Sequence, residues 1–167
     1  TPALGVGPGN VPVFVDASAD IAAAARRIVD SKAFDNSVLC TNESVLIAEE
    51  SVAGALSAAM TRNGAHILDA DGAQRLRAFM FPDGHLNTDV VGRDAVWIAG
   101  RAGLRVGQKT RLLVAPFEHV VDEEALAHEK LSPVLGMTTV PDAERGIRAA
   151  RAVVRVGGAG HSAAIHS

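Results

Sequence analysis

Short runs of consecutive apolar residues alternate along this chain with longer stretches in which apolar positions return every three or four residues. The runs are "VPVFVD" (Val11 to Asp16), "SVLIA" (Ser44 to Ala48), "TRLLVAP" (Thr110 to Pro116), "SPVLGMTTV" (Ser132 to Val140) and "SAAIHS" (Ser162 to Ser167). Each is short and apolar throughout, as expected of a strand buried on both faces. Between them, "DIAAAARRIVDSKAF", "EESVAGALSAAMTRNG", "DGAQRLRAFMF", "DAVWIAGRAG" and "DAERGIRAARAVV" carry helical spacing. Asp20 is placed to cap the first of these, and Asn63-Gly64 to stop the second. Five strands alternating with five helices predict an α/β fold, a parallel sheet with helices on both faces. The stretch from Met80 to Asp94 fits neither period and reads as a surface excursion.

Composition narrows the picture. Apolar residues make up 48% of 167 while aromatics reach only 4%, so the core must be aliphatic. The length suits one domain. Sixteen basic residues against nineteen acidic ones, dispersed, give a net charge of −3 and no basic footprint for nucleic acid or a membrane surface. No apolar run nears the ~18 residues that would span a bilayer. One cysteine excludes an internal disulfide framework and fits a reducing compartment. The opening "TPALGVGPGN" begins in mid-flow, and the chain reads as part of a longer protein.

Three features could carry chemistry. Gly5, Gly7 and Gly9 precede a strand rather than joining a strand to a helix, so a tight turn is the better reading than a phosphate cradle. Cys40 could be a small core residue, yet its flank "FDNS" is polar, as a loop between helix and strand would be. Of six histidines, His119, His128 and His161 are candidates for polar work, and no spacing suits a zinc site. Composition and spacing alone stop at an α/β domain with one thiol of interest.

Four segments, "PALGVGPGNVPVFVD", "SKAFDNSVLCTNESVLI", "AHEKLSPVLGM" and "GGAGHSAAIHS", span Pro2 to Ser167. In sequence and in order they resemble the aldehyde dehydrogenase superfamily, and within it the CoA-acylating branch. The resemblance implies that residues 1–167 form the nucleophile-bearing catalytic domain, with the cofactor-binding half outside the chain. It makes Cys40 the nucleophile, with Phe34 as the aromatic six positions before it. Glu129 becomes the ligand of the nicotinamide ribose, and Leu131, Leu4 and Gly5 neighbours of the nicotinamide. His161 falls in a "GHS" element near the active site. Without the resemblance, Glu129 would read as a solvated charge beside Lys130.

The resemblance further implies NAD or NADP as cofactor, coenzyme A as co-substrate, a small aldehyde as substrate and a homo-oligomeric full-length protein. The expected location is the cytoplasm or a bacterial microcompartment, with no metal, nucleic-acid or membrane partner. Ala3 departs from the wider superfamily, whose hydrolysing members carry a glutamate there to activate water. Without that base, water attack on a thioester is handicapped, whereas a thiol with pKa near 8.5 supplies some thiolate unaided. Two alternatives stay open: a hydrolysing member with its base elsewhere, and a non-catalytic assembly domain.

Overall fold

The computed structural model of the protein describes residues 9–156 and 161–167. Six parallel strands form one sheet: β1 (Val11–Val15), β2 (Glu43–Glu49), β3 (Ala65–Ile67), β4 (Leu112–Pro116), β5 (Val134–Val140) and β6 (Ala164–His166), in the order β3-β4-β5-β2-β1-β6. The helices are α1 (Ile21–Ala33), α2 (Glu50–Arg62), α3 (Ala70–Met80), α4 (Ala95–Arg101) and α5 (Ala143–Val156). All five strands expected from the pattern form, within a residue or two at their ends. The sixth, β3, was not expected: three residues at a sheet edge, directly after the Asn63-Gly64 stop, give too short an apolar run to show a period.

The strands are apolar throughout because both faces are covered. Val13, Val15, Leu46, Ala48, Leu112, Val114 and Leu135 pack beneath α1 and α2. Phe14, Val45, Ile47, Leu113, Ala115 and Val134 pack beneath α3, α4 and α5. Asp20 caps α1 as expected, accepting the Ala23 amide at 3.0 Å, and Asn63 and Gly64 (φ +98) end α2. Asp69 and Asp94 cap α3 and α4 in the same way, through the amides of Gly72 and Trp97.

Pro12 lies in β1 opposite Val45 of β2, and cannot donate to the ladder. The pairing register with β2 slips between Val11 and Pro12, which accommodates the missing N–H. The irregular stretch from Met80 to Asp94 holds two 3-10 turns, Pro82–Gly84 and Thr88–Val90. It is not a mere surface excursion, because Val90 is fully buried and Gly92 bonds into the loops described next.

Candidate active site

Because every strand runs the same way, the residues just before each strand collect at one edge of the sheet. Four adjacent strands, β5, β2, β1 and β6, are preceded by Glu129, Cys40, Gly9 and His161. The structure thus brings together three of the expected site residues, which are widely separated in sequence. Leu131 lies on the same turn as Glu129. Leu4 and Gly5, and with them Ala3, lie outside the described residues.

Cys40 is exposed in the turn between α1 and β2. The loop that presents it runs through a left-handed stretch, Asp35 (φ +48), Asn36 (φ +48) and Ser37 (φ +59). Three consecutive residues without glycine in that region are unfavourable and need outside support. The Asn36 amide donates to the Gly92 carbonyl at 3.0 Å, and the Gly92 amide donates to the Leu131 carbonyl at 3.1 Å. On the other side of Cys40, Asn42 donates its side-chain amide to the Ser31 carbonyl, and Ser31 donates its hydroxyl to Glu43 at 2.7 Å. The thiol therefore sits on a loop pinned at both ends.

Gly9 is where the site is tightest. A Cβ there would stand 2.6 Å from His161 Nε2 and 2.9 Å from the Cys40 carbonyl oxygen, so only glycine lets the three segments close. His161 and the Cys40 loop accordingly lie on either side of Gly9. Its Nδ1 is buried without a partner among the described residues. The other two candidate histidines are not here: His119 is exposed after β4, and His128 Nε2 meets the Asp122 carbonyl at 2.7 Å.

Glu129 is half-buried and accepts the Gly9 amide, so it is not the solvated charge that its neighbour Lys130 suggested. Burial pushes its pKa up, and the Gly9 amide, Lys32, His161 and Lys130 oppose that rise. Lys130 turns the other way and is wholly buried. Its ammonium donates to the Ser44 carbonyl and hydroxyl, both at 3.1 Å, the Leu126 carbonyl at 2.7 Å and the His128 carbonyl at 2.5 Å. It thereby fastens the start of β2 to the turn that carries Glu129 and Leu131 (φ +42). That turn is braced from α3 by a two-pronged Arg77–Glu124 pair at 2.9 and 3.0 Å. Asn10 adds a tie from the start of β1 to the Ala127 carbonyl at 2.6 Å.

Lys32, Lys130, Asn36 and Gly92 were not singled out by sequence reasoning. Lys32 could have been, since it falls on the buried stripe of α1 with Ala25, Ile28 and Val29. Among the described residues, no group of three or more His, Cys, Asp or Glu could hold a metal ion, and no helix is long and apolar enough to cross a membrane.

Such a face offers an exposed thiol, an imidazole near its loop and a half-buried carboxylate. No family model matches the chain. An aldehyde-alcohol dehydrogenase of Clostridium acetobutylicum is 37% identical over 166 residues, 99% of this chain and 19% of the relative. A crystal structure of an acetylating aldehyde dehydrogenase from Geobacillus thermoglucosidasius superposes with a TM-score of 0.94 at 37% identity, covering 99% of this chain and 37% of that one.

Over nearly its whole length, this chain is similar to acetylating aldehyde dehydrogenases. A propionaldehyde dehydrogenase from Rhodopseudomonas palustris, solved with bound CoA and an acylated cysteine, superposes with a TM-score of 0.85 at 28% identity. It covers 98% of this chain and 37% of that structure. The chain thus spans about a fifth of the aldehyde-alcohol dehydrogenase and little more than a third of these acylating enzymes.

Proposed function

We propose that this chain is the nucleophile-bearing catalytic domain of a CoA-acylating aldehyde dehydrogenase. The observation that carries the reading is the convergence of Cys40, Glu129 and His161 at the adjoining amino ends of β5, β2, β1 and β6, on a chain similar throughout to acetylating enzymes.

In this reading the Cys40 thiolate attacks the carbonyl carbon of a small aldehyde, giving a thiohemiacetal on Cys40. Its oxyanion takes a hydrogen bond from the Cys40 backbone N–H. Glu129, half-buried and already holding one amide donor, fits the hydroxyls of a nicotinamide ribose. NAD or NADP, when bound, supplies the hydride acceptor that turns the thiohemiacetal into a thioester on Cys40. Most of the cofactor's contacts would come from residues outside this chain. The thiol of coenzyme A then attacks the thioester carbonyl, the acyl group passes to CoA, and the Cys40 thiolate leaves. His161, on the other side of Gly9 from the Cys40 loop, is placed to accept the proton of the entering thiol. A homo-oligomeric enzyme acting in the cytoplasm or a microcompartment accords with this reading.

The test is product analysis on the full-length protein with a short aldehyde and a nicotinamide cofactor, with and without CoA. Acyl-CoA formed only when CoA is present supports the proposal. Free acid formed at the same rate without CoA would instead mark a hydrolysing enzyme.

A further inference from the structure

The turn before β5 carries two features that its place in the fold does not require. Leu131 sits in the left-handed region (φ +42) without being glycine, a conformation that persists only where the surroundings impose it. Beside it, Lys130 is wholly buried, and its four partners are neutral oxygens: the Ser44 carbonyl and hydroxyl, the Leu126 carbonyl and the His128 carbonyl, at 2.5 to 3.1 Å. A buried ammonium held by neutral acceptors is a poor source of stability, since an apolar side chain would avoid taking a charge out of water. What the four bonds fix is geometry. They gather three segments onto one atom: the start of β2, the 3-10 turn Ala125–Ala127 and the turn that carries Glu129. The Ser44 hydroxyl adds to the tie by donating to the His128 carbonyl at 2.9 Å.

We propose that Lys130 is a positioning residue for the cofactor: its ammonium holds the backbone of residues 128–131 against β2, so that Glu129 and Leu131 are presented on the Cys40 face. The inference rests on the reading of Glu129 as the ribose ligand. The two neighbouring side chains leave the turn in different directions, Glu129 to the Gly9 amide before β1 and Lys130 to Ser44 in β2. Anchoring one therefore sets the backbone from which the other projects. β2 is a firm anchor, a central strand paired with β1 on one side and β5 on the other. Cys40 has pins of its own, in the Asn36–Gly92 and Asn42–Ser31 bonds. Loss of the ammonium should accordingly fall on the cofactor and spare the thiol.

The experiment uses the full-length protein and compares wild type, Lys130→Met, Ser44→Ala, their double variant and Glu129→Gln. It reads KM for the nicotinamide cofactor in aldehyde oxidation and, separately, the rate at which an acyl-CoA acylates Cys40 with no cofactor present. Lys130→Met should raise the cofactor KM about tenfold and keep the acylation rate within about threefold of wild type. Ser44→Ala, which deletes one of the four acceptors, should raise the cofactor KM about threefold. The double variant should match Lys130→Met alone, because both changes cut the same tie. A lysine that served only the fold would lower the melting temperature without this split between cofactor and acylation.

A Lys130→Met cofactor KM within about twofold of wild type, alongside a raised KM in Glu129→Gln, overturns this inference alone. So does an acylation rate that falls in step with the rise in KM, since the whole face would then have shifted. Should Lys130→Met fail to fold, an unchanged cofactor KM in Ser44→Ala overturns the inference in its place. An unchanged cofactor KM in Glu129→Gln overturns the ribose assignment and this inference with it.

Discussion

Lys32 and Lys130 are charged side chains with almost no exposed surface. Lys32 lies at a helical position that the apolar periodicity of α1 assigns to the core, yet lysine is rarely found there, so the pattern and the residue contradict each other. Glu129 beside Lys130 reads as a solvated pair, and the structure sends the two side chains to different places. Lys32 has a consequence for stability. An unfolded lysine holds its proton to the ordinary value of 10.5, the folded one only to about 7, so between these the unfolded chain binds more protons and folding gains as pH rises. Urea midpoints of wild type should therefore climb relative to those of Lys32→Met between pH 7 and pH 9, by up to ~1.4 kcal/mol per pH unit. Parallel profiles would mean that Lys32 finds water. At Gly9, alanine would drive a Cβ into His161 and the Cys40 carbonyl. Acylation of Cys40 in Gly9→Ala should slow on the order of tenfold to a hundredfold, since small misplacements of reacting groups are expensive in rate.

Elements with a clear period were legible; those without one carried the site. The five helices and five of the six strands follow from spacing and caps, because burial on both faces writes itself into the sequence as apolar runs. The loops that present Cys40, Glu129 and Gly92 have no period, and their shape comes from hydrogen bonds between segments far apart in the chain. Asn36 shows how closely that network is tuned: it tolerates the left-handed region and reaches Gly92. Asn36→Ala loses both and should cost about 1–3 kcal/mol in denaturant unfolding. Asn36→Gly, which keeps the backbone freedom, should cost less. In β5, a Cβ on Gly136 would lie 2.5 Å from the Leu126 carbonyl, one of the oxygens that hold Lys130. Gly136→Ala should destabilise the chain by about 1–3 kcal/mol, and the thermal melt that shows it should be matched by a weaker grip on the Glu129 turn.

At the scale of the whole molecule, the site lies at the amino ends of the strands. In open α/β sheets ligands more commonly meet the carboxyl ends. A cavity does open there, after β3, lined by His66, Asp69, Arg75 and Arg105, but it holds none of the residues singled out for chemistry. Strand order could not be read from the sequence, because parallel neighbours such as β2 and β5 are joined through long excursions that leave no local trace. Only that order sets Glu129, Cys40, Gly9 and His161 side by side, so the resemblance named the residues while the topology explains their meeting. The central claim is that Cys40 carries an acyl group between aldehyde and CoA. Its most direct test is the intact mass of the full-length protein after incubation with a short acyl-CoA, beside a Cys40→Ser control. The expected result is a single acyl adduct in the wild type that is absent from the control. A wild type that stays unmodified, or an adduct that survives Cys40→Ser, would contradict the account.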